Sequence, residues 1–242
     1  MYSFLTVWQN QPIIRVRKRQ IFFINISAGV GGKCSMEGKR LTSYAMEELE
    51  CPKCGHKHSL KKYKVINVTE KAKLKEEIMK NRLYQFSCEE CEYMAPLTYD
   101  SLYVDSRKNI MIYMAPVMNA EIKAEIAELE QEKSIDKRLV DNINDLKEKI
   151  MIADNHLDDR VIEIIKIMYL DQIKKEMEDD TLLNILFDYN RDNYCFLVFF
   201  QKKGIGKIPL TREFYRQVED KYKEVIKEHS TDGFMKIDME WA

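Results

Sequence analysis

Two C-x-x-C motifs constrain this chain more than any other feature: Cys51-Pro52-Lys53-Cys54-Gly55 and Cys88-Glu89-Glu90-Cys91-Glu92. A C-x-x-C turn aims both of its sulfurs at one point. Two such turns offer four thiolates to a tetrahedron, at the Zn–S distance of about 2.3 Å that suits zinc. Gly55 permits the left-handed backbone that turns main-chain amides toward the sulfurs. Glu92 holds the matching place in the second knuckle, where a side chain costs some strain.

Other uses of these cysteines fit less well. A disulfide scaffold suits small secreted chains, whereas this one has 242 residues, of which 45% are hydrophobic, enough to build a core. A thioredoxin-type redox pair needs a βαβ context, and Pro52-Lys53 follows a charged strand instead. An iron–sulfur site also uses four cysteines, but two symmetric knuckles favour zinc or related metals. We therefore expect one structural zinc ion on Cys51, Cys54, Cys88 and Cys91. His56 and His58 lie close by and are read as solvated strand residues. Cys34 and Cys195 have no partner pattern, and Cys195, within the apolar run Tyr194 to Phe200, reads as a small buried residue.

The run Cys51-Pro52-Lys53-Cys54-Gly55-His56, followed after a spacer of thirty-odd residues by a second Cys-x-x-Cys, resembles the CpXC domain. This family occurs in bacteria and archaea and is named for its cysteines. The likeness continues through Leu102-Tyr103-Val104-Asp105 and Ile110 to Pro116, then Asn142 to Ile150, Leu157 to Glu163, and the terminal Ile237 to Ala242. It spans roughly Met46 to Ala242, and the second knuckle departs from it by lacking Pro and Gly. The resemblance by itself implies no activity.

Periodicity predicts an α+β fold: a zinc-ribbon-like β unit with a hairpin, then helices and a C-terminal α+β portion. Ser59 to Val68 reads as a ribbon strand. Thr69 is placed to cap a short helix from Glu70 to Asn81, and Tyr84-Gln85-Phe86 leads as a strand into the second knuckle. Leu97 to Val104 and Ile110 to Met114 read as a hairpin over the turn-favouring Asp105 to Asn109. Ile122, Ile126 and Leu129 recur at helical spacing, as do Leu139, Val140, Ile143, Leu146 and Ile150. Asp158 and Asp159 open a further helix, Val161 to Leu170, that is apolar nearly all round and needs cover on most sides. Strands at Leu182 to Tyr189 and Tyr194 to Gln201 form a second hairpin, and Gly204 to Lys207 reads as a turn. Thr211 caps the last helix, and Phe234 to Trp241 alternates like a strand. These elements divide the chain into an N-terminal extension (1–45), a ribbon-like region (46–120), and a helical and C-terminal α+β region (121–242).

The near-neutral net charge of -1 hides an asymmetry: residues 1–40 carry +6, which leaves -7 on the rest. Basic residues from Arg15 to Arg19 precede the mostly apolar Ile21 to Val30. Three readings compete here: a start codon at Met36 or Met46, a genuine tail, and a targeting signal. The last lacks a fitting cleavage site, because Lys33 stands where a small residue belongs. No apolar run reaches the roughly 18 residues of a transmembrane helix. We expect a cytoplasmic protein without membrane contact.

Catalytic patterns are absent. Nucleotide-binding glycine motifs, G-x-S-x-G and H-E-x-x-H do not occur. The densest polar cluster, Asn155 to Arg160, reads as a helix N-terminus with an ion pair rather than an acid/base site. A four-thiolate zinc is coordinatively closed and cannot activate water. The expected function is thus a non-enzymatic zinc-binding interaction scaffold with a protein partner. The alternative is nucleic-acid binding through Lys53, His56, Lys57, His58, Lys61, Lys62 and Lys64, with Tyr63 interleaved for stacking. The acidic body and the neighbouring glutamates oppose that alternative.

Overall fold

The computed structural model describes residues 14–15, 41–132, 134–176, 179–190, 193–229 and 232–242. Cys34 and the Ile21 to Val30 run lie outside the described residues. The fold is α+β. Strands β2 (Ser43–Glu50) and β3 (Lys57–Asn67) run antiparallel on either side of the first knuckle. The second knuckle is held likewise between β4 (Gln85–Ser87) and β5 (Met94–Thr98), whose other edge pairs in parallel with β1 (Ile14–Arg15).

Strand β3 continues into a five-stranded sheet of order β2-β3-β6-β7-β8, completed by β6 (Ser101–Asp105), β7 (Ile110–Met114) and β8 (Asp136–Val140). The pairs β3–β6 and β7–β8 are parallel. Every residue of β6 and β7 is buried, as expected for central strands covered on both faces. Alternate side chains divide between two cores. Tyr103, Ile112 and Met114 pack with Ile78 of α1 (Lys73–Met79) and with Leu146 and Ile150 of α3 (Ile143–Asp154). Leu102, Val104, Met111 and Tyr113 pack with Ile122, Ile126 and Leu129 of α2 (Ala120–Leu129), and with Phe234.

A third core lies on a meander of order β11-β10-β9, made of β9 (Leu182–Asn190), β10 (Asn193–Phe200) and β11 (Gly204–Leu210). Phe187, Phe196 and Val198 pack there with Val161, Ile162 and Ile165 of α4 (Asp159–Glu176) and with Tyr215, Val218 and Ile226 of α5 (Arg212–Glu228). The inner face of α4 is thus covered from within the chain, while Met168 on its outer face stays exposed. Asn119, Asn142 and Thr211 cap α2, α3 and α5, each accepting main-chain N–H bonds at 2.9–3.1 Å.

The α4 helix is not purely apolar inside. Its Asp159, Glu163 and Lys166 are buried with Glu148 and Lys149 of α3 and Arg138 of β8. Lys166 bridges Glu148 (2.8 Å) and Glu163 (3.0 Å). Lys149 bridges Glu163 and Asp159 (both 3.1 Å), and Arg138 grips Asp159 with Nε and Nη2 (2.7 and 2.8 Å). Burial, reinforced by Glu148, pushes the Glu163 carboxyl up. Against its own burial, Asp159 is held well below the usual carboxylate range by Lys149 and Arg138. Glu148 also accepts the main-chain N–H of Phe187 and so covers an edge group of β9.

Several expectations are corrected. The helix expected from Glu70 starts at Lys73, because Asn67 takes the N–H groups of Thr69 and Glu70, and Thr69 Oγ1 accepts from Ser106 N (2.8 Å). Leu97 to Val104 is two strands in different sheets, broken at Tyr99-Asp100. Leu139 and Val140 belong to β8 rather than to a helix. Gly204 to Lys207 opens edge strand β11 instead of forming only a turn. The segment Phe234 to Trp241 makes one parallel bridge, Met235 to Arg138, and then turns on Asp238, whose carboxylate accepts from Glu240 N and Trp241 N.

Candidate metal centre

The two knuckles repeat one backbone pattern. In the first, Gly55 N donates to Cys51 O (2.8 Å) and Cys51 N to His56 O (2.8 Å). In the second, Glu92 N donates to Cys88 O (3.0 Å) and Cys88 N to Tyr93 O (2.8 Å). Gly55 has φ +75° and Glu92 φ +57°, so the glutamate adopts the left-handed conformation that glycine adopts in the first knuckle. Lys53 ties the knuckles together by donating to Cys91 O (3.4 Å).

This symmetry brings Cys51, Cys54, Cys88 and Cys91 together, with all four sulfurs within 4.8 Å of one another. A zinc tetrahedron with arms of about 2.3 Å has edges of about 3.8 Å. The Cys51–Cys91 and Cys54–Cys88 sulfurs stand 3.7 and 3.6 Å apart, too far for disulfides and right for a shared cation. Cys51 and Cys88 are buried, Cys91 is half-buried and Cys54 is exposed. Among the described residues no other His, Cys, Asp or Glu group converges in this way.

The electrostatics of the sulfurs call for a positive charge. Burial works against ionisation of Cys51, but the amides of Cys54 and Lys53 bring its thiol down to about 7. At Cys54 the backbone amide of His56 favours the thiolate, yet burial and the three other sulfurs push it up to about 12. Burial also raises Cys91. One thiolate therefore forms readily and the next ones only against repulsion, which a bound cation removes.

His58 is closer to this centre than its strand position suggested. Its Nε2 lies 3.2 Å from Cys88 Sγ, and its ring stands edge-on to Phe86 (5.3 Å between centroids). The signal for this was weak: a histidine four residues beyond the knuckle's last cysteine, on a strand that alternates toward the core. His56 contacts the His58 ring (4.8 Å). Cys195 stays apart, half-buried on β10, where burial and Asp188 raise its thiol.

The other flagged groups have structural partners. Asp158 pairs with Arg160 (2.6 Å), Asp159 belongs to the buried network, and His156 meets Lys108 Nζ at 3.0 Å. In the basic stretch, Lys62 is buried against Glu47 (3.5 Å) and Asp100 (3.7 Å), while Lys61 lies over the Tyr44 ring (5.0 Å).

Fold and site together define an α+β protein with a four-thiol potential metal-binding group, set at the meeting of two knuckle hairpins. Residues 49–166 match the sequence model of the CpXC family, CpXC protein, so the chain carries a CpXC domain. The match spans both knuckles, the β6–β7 hairpin, α3 and part of α4, and ends before the C-terminal segment that the resemblance had been extended to. No curated protein and no solved structure matches the chain.

Proposed function

We propose that this protein is a non-enzymatic scaffold built around one structural zinc ion held by Cys51, Cys54, Cys88 and Cys91, and that its partner is another protein. The observation that carries the metal assignment is the convergence of four thiols from two backbone-matched knuckles at tetrahedral spacing. Zinc fits because a four-sulfur set with no carboxylate favours a soft or borderline cation. The scaffold reading follows from the closed site, since four protein sulfurs leave no position for water or substrate. No helix among the described residues is long and apolar enough to cross a membrane. The nucleic-acid alternative loses support, because Lys62 is spent on a buried ion pair and β2 sets Glu47, Glu48 and Glu50 beside the basic strand.

Elemental analysis of the purified full chain tests the metal assignment. The expected result is about one zinc per chain, lost in a Cys51→Ser/Cys88→Ser variant, together with no salt-dependent retention on single- or double-stranded nucleic acid. A metal-free chain with all thiols reduced would overturn the zinc assignment. A hydrolytic or transferase activity that vanishes in Cys51→Ser while the fold persists would overturn the scaffold reading.

A further inference from the structure

His58 occupies a place that ordinary strand packing does not require. It is the second residue of β3, opposite Leu49 on β2, and so belongs to the first knuckle's hairpin. The sulfur it meets, Cys88 Sγ, belongs to the second knuckle. Its ring contacts two others. Phe86, fully buried on β4 just ahead of Cys88, presents its ring at 82° to the imidazole, and the His56 ring lies at 63° to it. The His58 Nε2 lies 3.2 Å from the sulfur, within range for an N–H···S bond.

A dication on four thiolates leaves a net charge of -2 at a partly buried site, and each sulfur then gains from any N–H that faces it. Cys51 already has the amides of Lys53 and Cys54. Cys88 is equally buried, and the His58 imidazole reaches it from the other hairpin.

We propose that His58 is a positioning residue of the metal centre: its imidazole donates Nε2–H to Cys88 Sγ, fixing that sulfur and dispersing its charge. This rests on the zinc-centre reading above. The bond also joins the two hairpins outside the metal, so the second knuckle is held in register by the first even before its sulfurs are ligated. His58 does not replace a cysteine. It decides how tightly the four of them hold.

The test uses the full chain with two substitutions. His58→Phe keeps a ring against Phe86 and removes the donor; His58→Gln restores an N–H donor on a different frame. Zinc affinity is read by competition with a chromophoric chelator, and the sulfur-to-metal charge-transfer band is read after loading with Co²⁺. His58→Phe is expected to weaken zinc binding about 10- to 100-fold, the usual effect of losing an outer partner, and to move the charge-transfer band. His58→Gln should recover part of both. Unchanged affinity and an unchanged band in His58→Phe would overturn the proposal and leave the zinc centre standing. So would an equal loss in both variants with no band shift, which marks a packing role. A wild-type chain that takes up neither zinc nor cobalt would overturn the zinc centre and this proposal with it.

Discussion

Lys147 gives the sharpest test of the energetics. It sits in α3 with its side chain buried, and its ammonium donates to Asn81 Oδ1 in the turn that follows α1. Burial pulls its pKa from the ordinary 10.5 down to about 8. Each tenfold change in proton affinity is worth about 1.4 kcal/mol, so carrying that charge in the folded state costs roughly 3 kcal/mol. Lys147→Met keeps the methylenes and removes the charge, at the loss of one hydrogen bond worth about 1–2 kcal/mol. At pH 7 the variant should therefore be more stable than wild type by about 1–2 kcal/mol. The sign reverses with pH. Below pH 8 Lys147 is charged in both states and only the folded state bears the penalty. As pH rises from about 8 toward 10.5 the folded amine is already neutral, so the penalty fades. Above that range wild type keeps its hydrogen bond and becomes the more stable of the two. Urea denaturation of both metal-loaded proteins from pH 7 to 11 measures the difference. A difference that does not vary with pH, or a variant already weaker at pH 7, would refute the reasoning.

Four further outcomes are expected. Asp159→Asn should cost about 3–5 kcal/mol at neutral pH, because it strips the buried Arg138 and Lys149 of a shared carboxylate; guanidinium denaturation measures it. The Asp159 carboxyl is held below its unfolded value, so its contribution is present above about pH 4 and lost as pH falls, and the Asn variant should show a shallower acid transition. In the knuckles, Gly55→Ala should lower the melting point of the loaded protein through backbone strain of about 1 kcal/mol, since its Cβ would meet only Glu50 Oε1 at an ordinary 3.5 Å, while Glu92→Gly should raise it by a similar amount.

Much of the architecture was legible because it rests on local signals. The caps at Asn119, Asn142 and Thr211 sit beside clear helical stripes, and β9 and β10 are bounded by turn residues. The misreadings share a cause: short segments whose state is set by a distant partner. Leu139-Val140 matches the helical spacing of the α3 residues that follow, but β7 offers a parallel edge, and the pair Tyr113–Leu139 wins. Gly204 and Gly206 weaken strand propensity, yet β10 supplies a full ladder from Phe200 to Tyr194. Phe234 to Trp241 alternates well but finds one bridge only, because Asp238 claims the following amides. At the site, the cysteine spacing implied convergence without any knowledge of the sheets. His58 was opaque because its role depends on Phe86, which arrives from another strand.

The parallel pairing of β3 with β6 bears on how the chain finds its fold. Ile66 faces Tyr103 in that pair, and the second knuckle lies within the crossover between them. A crossover must be closed before any of its ladder bonds repay the lost freedom, which makes such pairings slow to form. The knuckle contact Cys54–Cys88 closes a loop of 34 residues inside the same stretch, an entropic charge of about 3 kcal/mol for a flexible chain. A metal captured by both knuckles would close that loop and bring β6 nearer to β3. If the cysteine cluster takes up its metal early, it then acts on the order of assembly as well as on the finished molecule, and metal supply would set how long the hydrophobic β6–β7 hairpin waits unpaired on its β3 side.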